Sequence, residues 1–597
     1  MGIKYSDVIC DWLKEAGYRK CFFVAGGNIM HSLESARHRF DCHPVAHEVA
    51  AVIATEYYNA VAPYGQKAFA LVTAGPGLTN TVTGLAGAFL ESREVLLLGG
   101  QVKSADLARG ELRQRGIQEI DGVTLVSSIT KRSVLIDNPV SRAEFMAPIL
   151  EGGSGRPGPV FLELCLDAQG APISDEMRQK LEADPIPVRE PLRGPSATEI
   201  GALEALVAAA ERPILLIGGG LGFDALRSRM PALERAGIPI ATTWNGADRI
   251  DASHPLYFGR VNTWGQRYAN ILVQQSDLVI ALGTRLGLQQ TGFNWQQFAP
   301  VGKVVQVDID PAELSKGHPR VDLPIEADAA AVLDVVLAAE PRDHSDWLDF
   351  CRMVKAQLPL VEACNNTRKG FVSPFAFVSA LSEMTNDEDV IVPCSSGGAF
   401  TVVEQVFAQK GRQHMPTNKG LASMGYGLSA AIGAALAYPE RRTILFEGDG
   451  GFLQNVQEVG TAAVNKLNLK IFIFDDNGYA SIRMTQKNYF GGGAYVGCDT
   501  STGLGMPDWE KLFPAYGVPV MRLQADYATS ADFKALFDAP GVAAFLIPID
   551  SEQTYFPKIM SRVTDTGAME SNPIHAMSPP PAEDVIARVY RYIPSPY

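Results

Sequence analysis

The run Thr443–Ile482, TILFEGDGGFLQNVQEVGTAAVNKLNLKIFIFDDNGYASI, constrains the fold more than any other part of the chain. Its apolar start Thr443–Phe446 ends in Gly448-Asp449-Gly450-Gly451, and a helical pattern continues through Val464. The β-branched and aromatic run Ile471–Phe474 then ends in Asp475-Asp476-Asn477-Gly478-Tyr479. Two oxygen-rich turns thus fall at the carboxyl ends of two strands read as parallel neighbours, the edge where open α/β sheets bind ligands. A strand–helix–strand crossover returns the chain beside its start, so Asp449 and Asp476, 27 residues apart, can meet on one ion. Glycines 448, 450 and 451 let backbone approach a bulky anion, and the helix opening near Leu453 turns N–H groups toward it. Magnesium suits the place, because it takes a few hard oxygens together with phosphate oxygens and water. The spacing predicts a diphosphate held through a divalent metal, with either Asp476 or Asn477 as the second side-chain ligand.

With 597 residues the chain is long enough for about three or four domains, each burying its own core. The 66 acidic and 52 basic side chains leave a net charge of −14 without long runs of one sign, which disfavours nucleic acid and anionic membrane as partners. No apolar run approaches the ~18 residues that span a bilayer, and the charged start MGIKYSDVICDWLKEAGYRKCFFV is not a signal peptide, so a cytoplasmic location is expected. Eight scattered cysteines, with no Cys-x-x-Cys, read as reduced and mostly buried thiols.

The fold class expected is α/β, with three doubly wound parallel-sheet domains and a C-terminal tail. Residues 1–175 alternate helix and strand: Tyr5–Ala16 is helical, while Cys21–Val24, Phe69–Thr73, Glu94–Leu98 and Pro159–Leu164 are strands. Ala168–Gly194, rich in proline and charge, reads as a linker. A second block, 190–340, carries strands Pro213–Ile217, Asp277–Leu282 and Val304–Ile309, the first running into Gly218-Gly219-Gly220. A third block, 365–560, holds the opening run, and 561–597 reads as a tail laid on the surface.

Gly-Asp-Gly followed by a paired acid or amide a little under thirty residues later resembles the signature of thiamine diphosphate enzymes. Further matches point to the acetohydroxyacid (acetolactate) synthase group. They include His47-Glu48, Thr73-Ala74-Gly75-Pro76-Gly77 with Asn80, Gly100-Gln101-Val102, Gln118-Glu119, Gly155-Arg156-Pro157-Gly158-Pro159-Val160 and Ser423-Met424-Gly425. The resemblance implies a pyrimidine-binding first domain, a central FAD-binding-like domain and a diphosphate-binding third domain. It assigns Asp449, Asp476 and the Gly478 carbonyl to Mg2+, with Asp475-Asp476 standing where the family has Asn-Asn. It implies that Glu48 hydrogen-bonds the cofactor's aminopyrimidine and so activates the thiazolium carbon, with Gln118 and Gly26 near the reacting carbonyl. Thiamine diphosphate would further contact Pro76, Asn80, Ser396, Gly397, Met424, Gly448, Gly450, Gly451 and Tyr479. Ser395-Ser396-Gly397-Gly398 replaces a family Gly-Gln-His segment. FAD would lie against Gly218, Gly219, Gly220, Arg285 and Asp308. His31 and His47 are candidate proton carriers without a nameable partner.

In the synthases a tryptophan selecting the acceptor falls where this chain has Thr485, and Ser481, Arg483, Thr485 and Gln486 would suit a hydroxylated partner. The tail around Asn572-Pro573-Ile574-His575 resembles that of relatives found with sugar-modifying pathways. The reading favoured is a carboligase that decarboxylates a 2-oxo acid, pyruvate, and transfers the two-carbon unit to a non-standard carbonyl acceptor such as a keto sugar. Acetolactate synthesis, simple 2-oxo acid decarboxylation, a related lyase and a catalytically silent cofactor-binding protein are the alternatives. The resemblance also implies a homodimer or homotetramer with active sites between subunits.

Overall fold

The computed structural model describes residues 2–340, 342–394, 396–491, 495–563, 567 and 569–597, without the side chains at 562, 563 and 569. Three parallel sheets organise the chain. In the first the strands lie in the order Asp41–Pro44, Tyr18–Phe23, Lys67–Val72, Leu96–Gln101, Val160–Cys165 and Arg132–Ile136. The second runs Leu323–Glu326, Lys303–Asp308, Leu278–Leu282, Pro213–Ile217, Ile240–Thr242 and Tyr257–Arg260. The third runs Val390–Val392, Thr443–Gly448, Leu469–Asp475, Ala543–Pro548 and Val520–Arg522. Helices cover both faces, so central strands such as PILLI at 213–217 are buried along their whole length and are apolar throughout rather than alternating. The α/β class with three doubly wound sheets is therefore as expected.

Strand Thr443–Gly448 pairs in parallel with Leu469–Asp475, Thr443 opposite Leu469 and Gly448 opposite Phe474. The crossover between them is broken into Asp449–Phe452, a short 3-10 turn Leu453–Asn455 and Glu458–Val464. Asp449 and the 475–479 turn consequently emerge on one edge of the sheet.

The first and third sheets are joined by helix Glu48–Val61 packing against helix Tyr426–Ala437. Small residues make the close approach possible: a Cβ on Gly433 would stand 2.1 Å from the Ala54 carbonyl oxygen. The buried Glu56 carboxylate in this interface is matched by Arg93 Nη1 at 2.7 Å, Asn418 Nδ2 at 3.1 Å and the Tyr426 hydroxyl. A buried charge persists only with such partners, and these fix the register of the two helices.

Two sequence expectations change. The stretch read as a linker from Ala168 begins inside helix Leu166–Gly170, whose Gln169 is buried and donates to the carbonyls of Asn28 and Leu164. The tail is not a strap on the surface. Ile574 and Val589 enter the core of the second sheet's domain, Asn270 Nδ2 donates to the Ile574 carbonyl at 2.9 Å, and Arg267 Nη1 donates to the Met577 carbonyl at 2.8 Å. Prolines 579–581 gave the segment the look of exposed chain, but the apolar residues around them find a buried docking face. Among the described residues no helix is long and apolar enough to cross a membrane.

Candidate active site

At the carboxyl edge of the third sheet, Asp449 opens its helix completely buried. Its carboxylate accepts the Gly450 N–H at 2.7 Å and the Gly478 N–H at 3.1 Å, which ties the two oxygen-rich turns together. Gly478 adopts φ +140°, and a Cβ there would lie 2.0 Å from the Cys498 carbonyl oxygen, so only glycine fits. A Cβ on Gly450 would likewise meet the Tyr479 ring at 2.4 Å and the Gly478 carbonyl oxygen at 2.8 Å. Gly448 and Gly451 belong to the same turn, and Gly451 backs onto the Glu447 carboxylate.

Burial, then the neighbouring charges of Asp476 and Asp475, push the Asp449 carboxyl well above the ordinary carboxylate range. Burial raises Asp476 to about 7, an effect that Arg483 opposes. Arg483, itself buried, donates from Nη2 to Asp476 Oδ1 at 2.9 Å and to the Asp476 carbonyl at 2.9 Å. Asp475 pairs with Arg522 Nη1 at 2.7 Å. Each acid of the Asp475-Asp476 pair therefore has its own arginine. Asn477, by contrast, is exposed, has φ +64° and donates to Thr500 Oγ1 at 3.1 Å. Two buried, mutually repelling carboxylates and a carbonyl, with no third acidic or imidazole ligand among the described residues, form a donor set that fits Mg2+ completed by phosphate oxygens and water.

The other turns of this edge carry Ser396 at the start of helix Gly397–Val406, Gly397 at φ +80°, and the half-exposed Met424 before Gly425 at φ +78°. Asn455 Nδ2 holds the Gly425 carbonyl at 2.6 Å. Ser395 lies outside the described residues.

A second group gathers at the carboxyl edge of the first sheet. Glu48 is the first residue of its helix, half-buried, and accepts from Asn80 Nδ2 at 3.0 Å. The helix start sits at a rim, which explains the openness. Gly26 lies flush on Thr73, where a Cβ would approach to 2.4 Å. Gly75, at φ +61°, leads into exposed Pro76, and a Cβ on it would lie 2.4 Å from the Gln118 carbonyl oxygen. Gln118 is exposed at φ +63°, a left-handed conformation that costs a non-glycine residue about 1–3 kcal/mol and is held only by its surroundings. Its neighbour Glu119 supplies the hold, accepting from the N–H groups of Ala108, Arg115 and Gly116 at 2.5, 2.8 and 2.9 Å. Although burial opposes ionisation, those three bonds keep the Glu119 carboxyl below its ordinary range. His47 Nδ1 caps the Glu48 helix by accepting the Val49 N–H, and the His31 ring lies against Gly170.

A third site is a cavity of about 690 Å3 where the three sheets' domains meet. Gly219, Gly220, Arg285 and Asp308 line it. Gly218 does not: its backbone packs on Gly283, where a Cβ would stand 2.2 Å from the carbonyl oxygen. Burial raises the Asp308 carboxyl, and the nearby Arg156 works against that. Arg156 crosses from the first domain to Asp310 at 2.9 Å and Glu313 at 3.0 Å. Asn245 Oδ1 and Trp244 Nε1 on the same cavity are buried and without partners.

Family models cover the chain in this same order: thiamine pyrophosphate enzyme, N-terminal TPP binding domain at residues 3–125, central domain at 200–336, and C-terminal TPP binding domain at 396–546. The chain belongs to the thiamine pyrophosphate enzymes. It is 32% identical over 541 residues to a probable acetolactate synthase large subunit of Methanocaldococcus jannaschii, covering 87% of this chain and 88% of that one. It is 29% identical to the acetolactate synthase isozyme 1 large subunit of Escherichia coli, covering 84% and 86%, and 29% identical to a chloroplastic acetolactate synthase 1 of Zea mays, covering 94% and 87%.

In this thiamine pyrophosphate enzyme several residues matter that the sequence did not single out. The buried Glu458 carboxylate accepts the Ala46 N–H at 3.1 Å, the His47 N–H at 3.0 Å and the Thr461 hydroxyl at 2.7 Å, clamping the approach to Glu48. Glu91 accepts the N–H groups of Lys419 and Gly420 and the side chain of Asn245, linking three domains in one carboxylate. Only the helical spacing of Glu458 was visible beforehand. On helix Ala480–Phe490, Arg483 is committed to Asp476, and Gln486 bonds the Val496 backbone in both directions at 3.1 and 2.8 Å. Of the four residues expected to face an acceptor, Ser481 and Thr485 remain, with the Thr485 hydroxyl bonded to the Ser481 carbonyl.

Proposed function

We propose that this enzyme is a thiamine diphosphate- and Mg2+-dependent carboligase that decarboxylates pyruvate and joins the two-carbon unit to a carbonyl acceptor other than a second pyruvate. The observation that carries the reading is the pair of turns at Asp449 and Asp476–Gly478, tied by one hydrogen bond at the ligand edge of the third sheet. The cofactor and the pyruvate donor, though not the acceptor, are supported by relatives whose names specify acetolactate synthase.

When bound, thiamine diphosphate supplies a carbon nucleophile and an electron sink. The chain's residues do the rest. Asp449, Asp476 and the Gly478 carbonyl hold Mg2+, and the glycines at 448, 450 and 451 admit the diphosphate. Gly397, Ser396, Tyr479 and Met424 border the cofactor. Glu48, oriented by Asn80, holds a proton at the pyrimidine edge beside Pro76, and Gln118 and Gly26 border the oxo-acid carbonyl. Among the described residues no hydrogen bond or ion pair joins Glu48 to the metal turns. The resemblance to the acetolactate synthase group further implies a second copy of the chain completing the site, as a homodimer or homotetramer.

The acceptor assignment follows from Ser481 and Thr485, small polar residues where a bulky wall would select a short oxo acid. The test is carbon dioxide release from pyruvate, with and without added aldehydes, ketones and keto sugars, followed by product identification. Release that requires Mg2+ and cofactor, with a new carbon–carbon bond to an added acceptor, is expected. Acetolactate as the sole product would establish the second reading, and no release from any 2-oxo acid would remove both.

The cavity of about 690 Å3 fits a dinucleotide: glycine turns give close backbone approach, Arg285 supplies charge for phosphates, and Asn245 and Trp244 offer unpaired polar atoms. FAD is the proposed occupant. Purified protein is expected to show a flavin absorption band or to gain one after incubation with FAD and desalting. A colourless protein whose melting temperature ignores FAD would leave the cavity to another ligand.

A further inference from the structure

The first domain holds a group of thiols apart from the cofactor sites. Cys21 and Cys42 are directly opposite partners on the parallel strands Tyr18–Phe23 and Asp41–Pro44, with their side chains on the same face. Neighbouring strands lie about 4.8 Å apart, inside the Cα separation of about 4.4–6.8 Å that a disulfide spans. The two thiols are close enough for each to shift the ionisation of the other. Cys21 is fully buried and Cys42 half-buried, so Cys42 is the more accessible of the pair. Cys10, buried nearby, completes the group. No set of three ligating side chains suited to a metal exists among the described residues, which leaves thiol chemistry as the group's own.

Position gives the pair its consequence. Asp41–Pro44 is the edge strand of the first sheet, and it runs directly into Val45, Ala46, His47 and Glu48. The strand is held on its far side by His43 Nδ1 to Asn465 Oδ1 at 3.1 Å, and the loop beyond it by the Val45 N–H to Phe23 carbonyl bond at 3.0 Å and by Glu458. A bond from Cys42 to Cys21 draws this strand toward its neighbour, and the strand continues without a break into the segment that ends at Glu48.

We propose that Cys21 and Cys42 are a reversible oxidation site, closing to a disulfide that displaces the strand and loop leading to Glu48. Cys42 is the more exposed of the two, and the neighbouring Cys21 thiol lowers it while burial raises Cys21 well above its usual range, so Cys42 is the sulfur that reacts first. Its thiolate attacks one oxygen of hydrogen peroxide, forming S–O, breaking O–O and expelling hydroxide, which is protonated to water. The Cys21 sulfur then attacks the sulfenic sulfur of Cys42, forming S–S, and the second oxygen leaves as water with the Cys21 proton. Two thiols lose two electrons and one peroxide becomes two waters. Parallel partners hold their Cβ atoms near the strand spacing, wider than the mean of about 3.8 Å in a relaxed disulfide, so the bond is strained and readily returned by a dithiol reductant.

The test treats the full chain with hydrogen peroxide, maps peptides without reduction and follows hydrogen exchange over residues 41–48. A Cys21–Cys42 cross-link, reversed by dithiothreitol and accompanied by faster exchange in that segment, is expected. Cys42→Ser should form no cross-link and show no exchange change, and Cys21→Ser should stop at a Cys42 sulfenic acid trapped by dimedone. A Cys10–Cys42 link, over-oxidation of Cys42 without a cross-link, or a cross-link that leaves exchange over 41–48 unaltered would each overturn the proposal.

Discussion

Glu48→Ala is expected to lower turnover by about 10²–10⁴-fold, the range that a positioned acid–base group supplies, with little change in thiamine diphosphate affinity. The reason lies in its placement. Glu48 is at the first turn of a helix, where its carboxylate is half-open to ligand and is aimed by the Asn80 amide at 3.0 Å. Glu48→Gln separates charge from shape, because the amide oxygen can still accept from Asn80 but cannot hold a proton as a carboxylate does. Both variants should therefore lose exchange of the cofactor's thiazolium C2 proton, followed by NMR in deuterium oxide, together with turnover. Undiminished exchange in Glu48→Ala would take this residue out of the mechanism, and full activity in Glu48→Gln would reduce it to a spacer.

The second large effect concerns the metal turn, where Asp449→Ala and Arg483→Ala should respond to magnesium in opposite ways. Asp449 is buried beside Asp476 and accepts only two backbone N–H groups. Its removal relieves like-charge repulsion while freeing those two donors, so the unliganded protein should change little in stability. Cofactor retention after dialysis should fall by at least about 10²-fold, since even the partners behind a metal ligand are worth up to that much. Arg483→Ala leaves Asp476 buried without its cation, a loss of about 3–5 kcal/mol in the unliganded protein. Magnesium with thiamine diphosphate should restore much of it, giving a larger ligand-induced rise in melting temperature than in the parent. Differential scanning fluorimetry with and without both ligands reads the two effects. Retention of cofactor by dialysed Asp449→Ala would refute the metal site, and an Arg483→Ala protein as stable as the parent would show that the ion pair does not balance Asp476.

This balance bears on the acidic pair at 475–476. In the sequence it stands where the resembled family has Asn-Asn, two acids in place of two amides. Folded, Arg522 and Arg483 each neutralise one acid, so the pair adds polar cross-links without the added charge that the residues alone imply. The same event changes the view of the helix after Tyr479, because an arginine spent on Asp476 cannot also contact an acceptor.

The strand–turn–helix–strand plan of Thr443–Ile482 and the three parallel sheets were legible in the sequence, whereas the placing of Glu48, Asn80, Gly26 and Gln118 in one site came only from the family resemblance. The plan and the sheets rest on local patterns: apolar runs of strand length, glycine turns that only one conformation satisfies, and the rule that open α/β sheets bind at their carboxyl edges. What the tertiary structure alone decided depends on contacts between residues remote in sequence. Such contacts include Glu458 holding the approach to Glu48, Glu91 joining three domains, Arg156 reaching Asp310 and Glu313, and Ile574 docking into the second domain's core. The different settings of Asp476 and Asn477 belong here too: the structure buries Asp476 beside Asp449, while the left-handed backbone at Asn477 turns its amide out to Thr500. Periodicity specifies which face of an element is buried, but not which distant side chain meets it there, because that is set by how whole sheets pack.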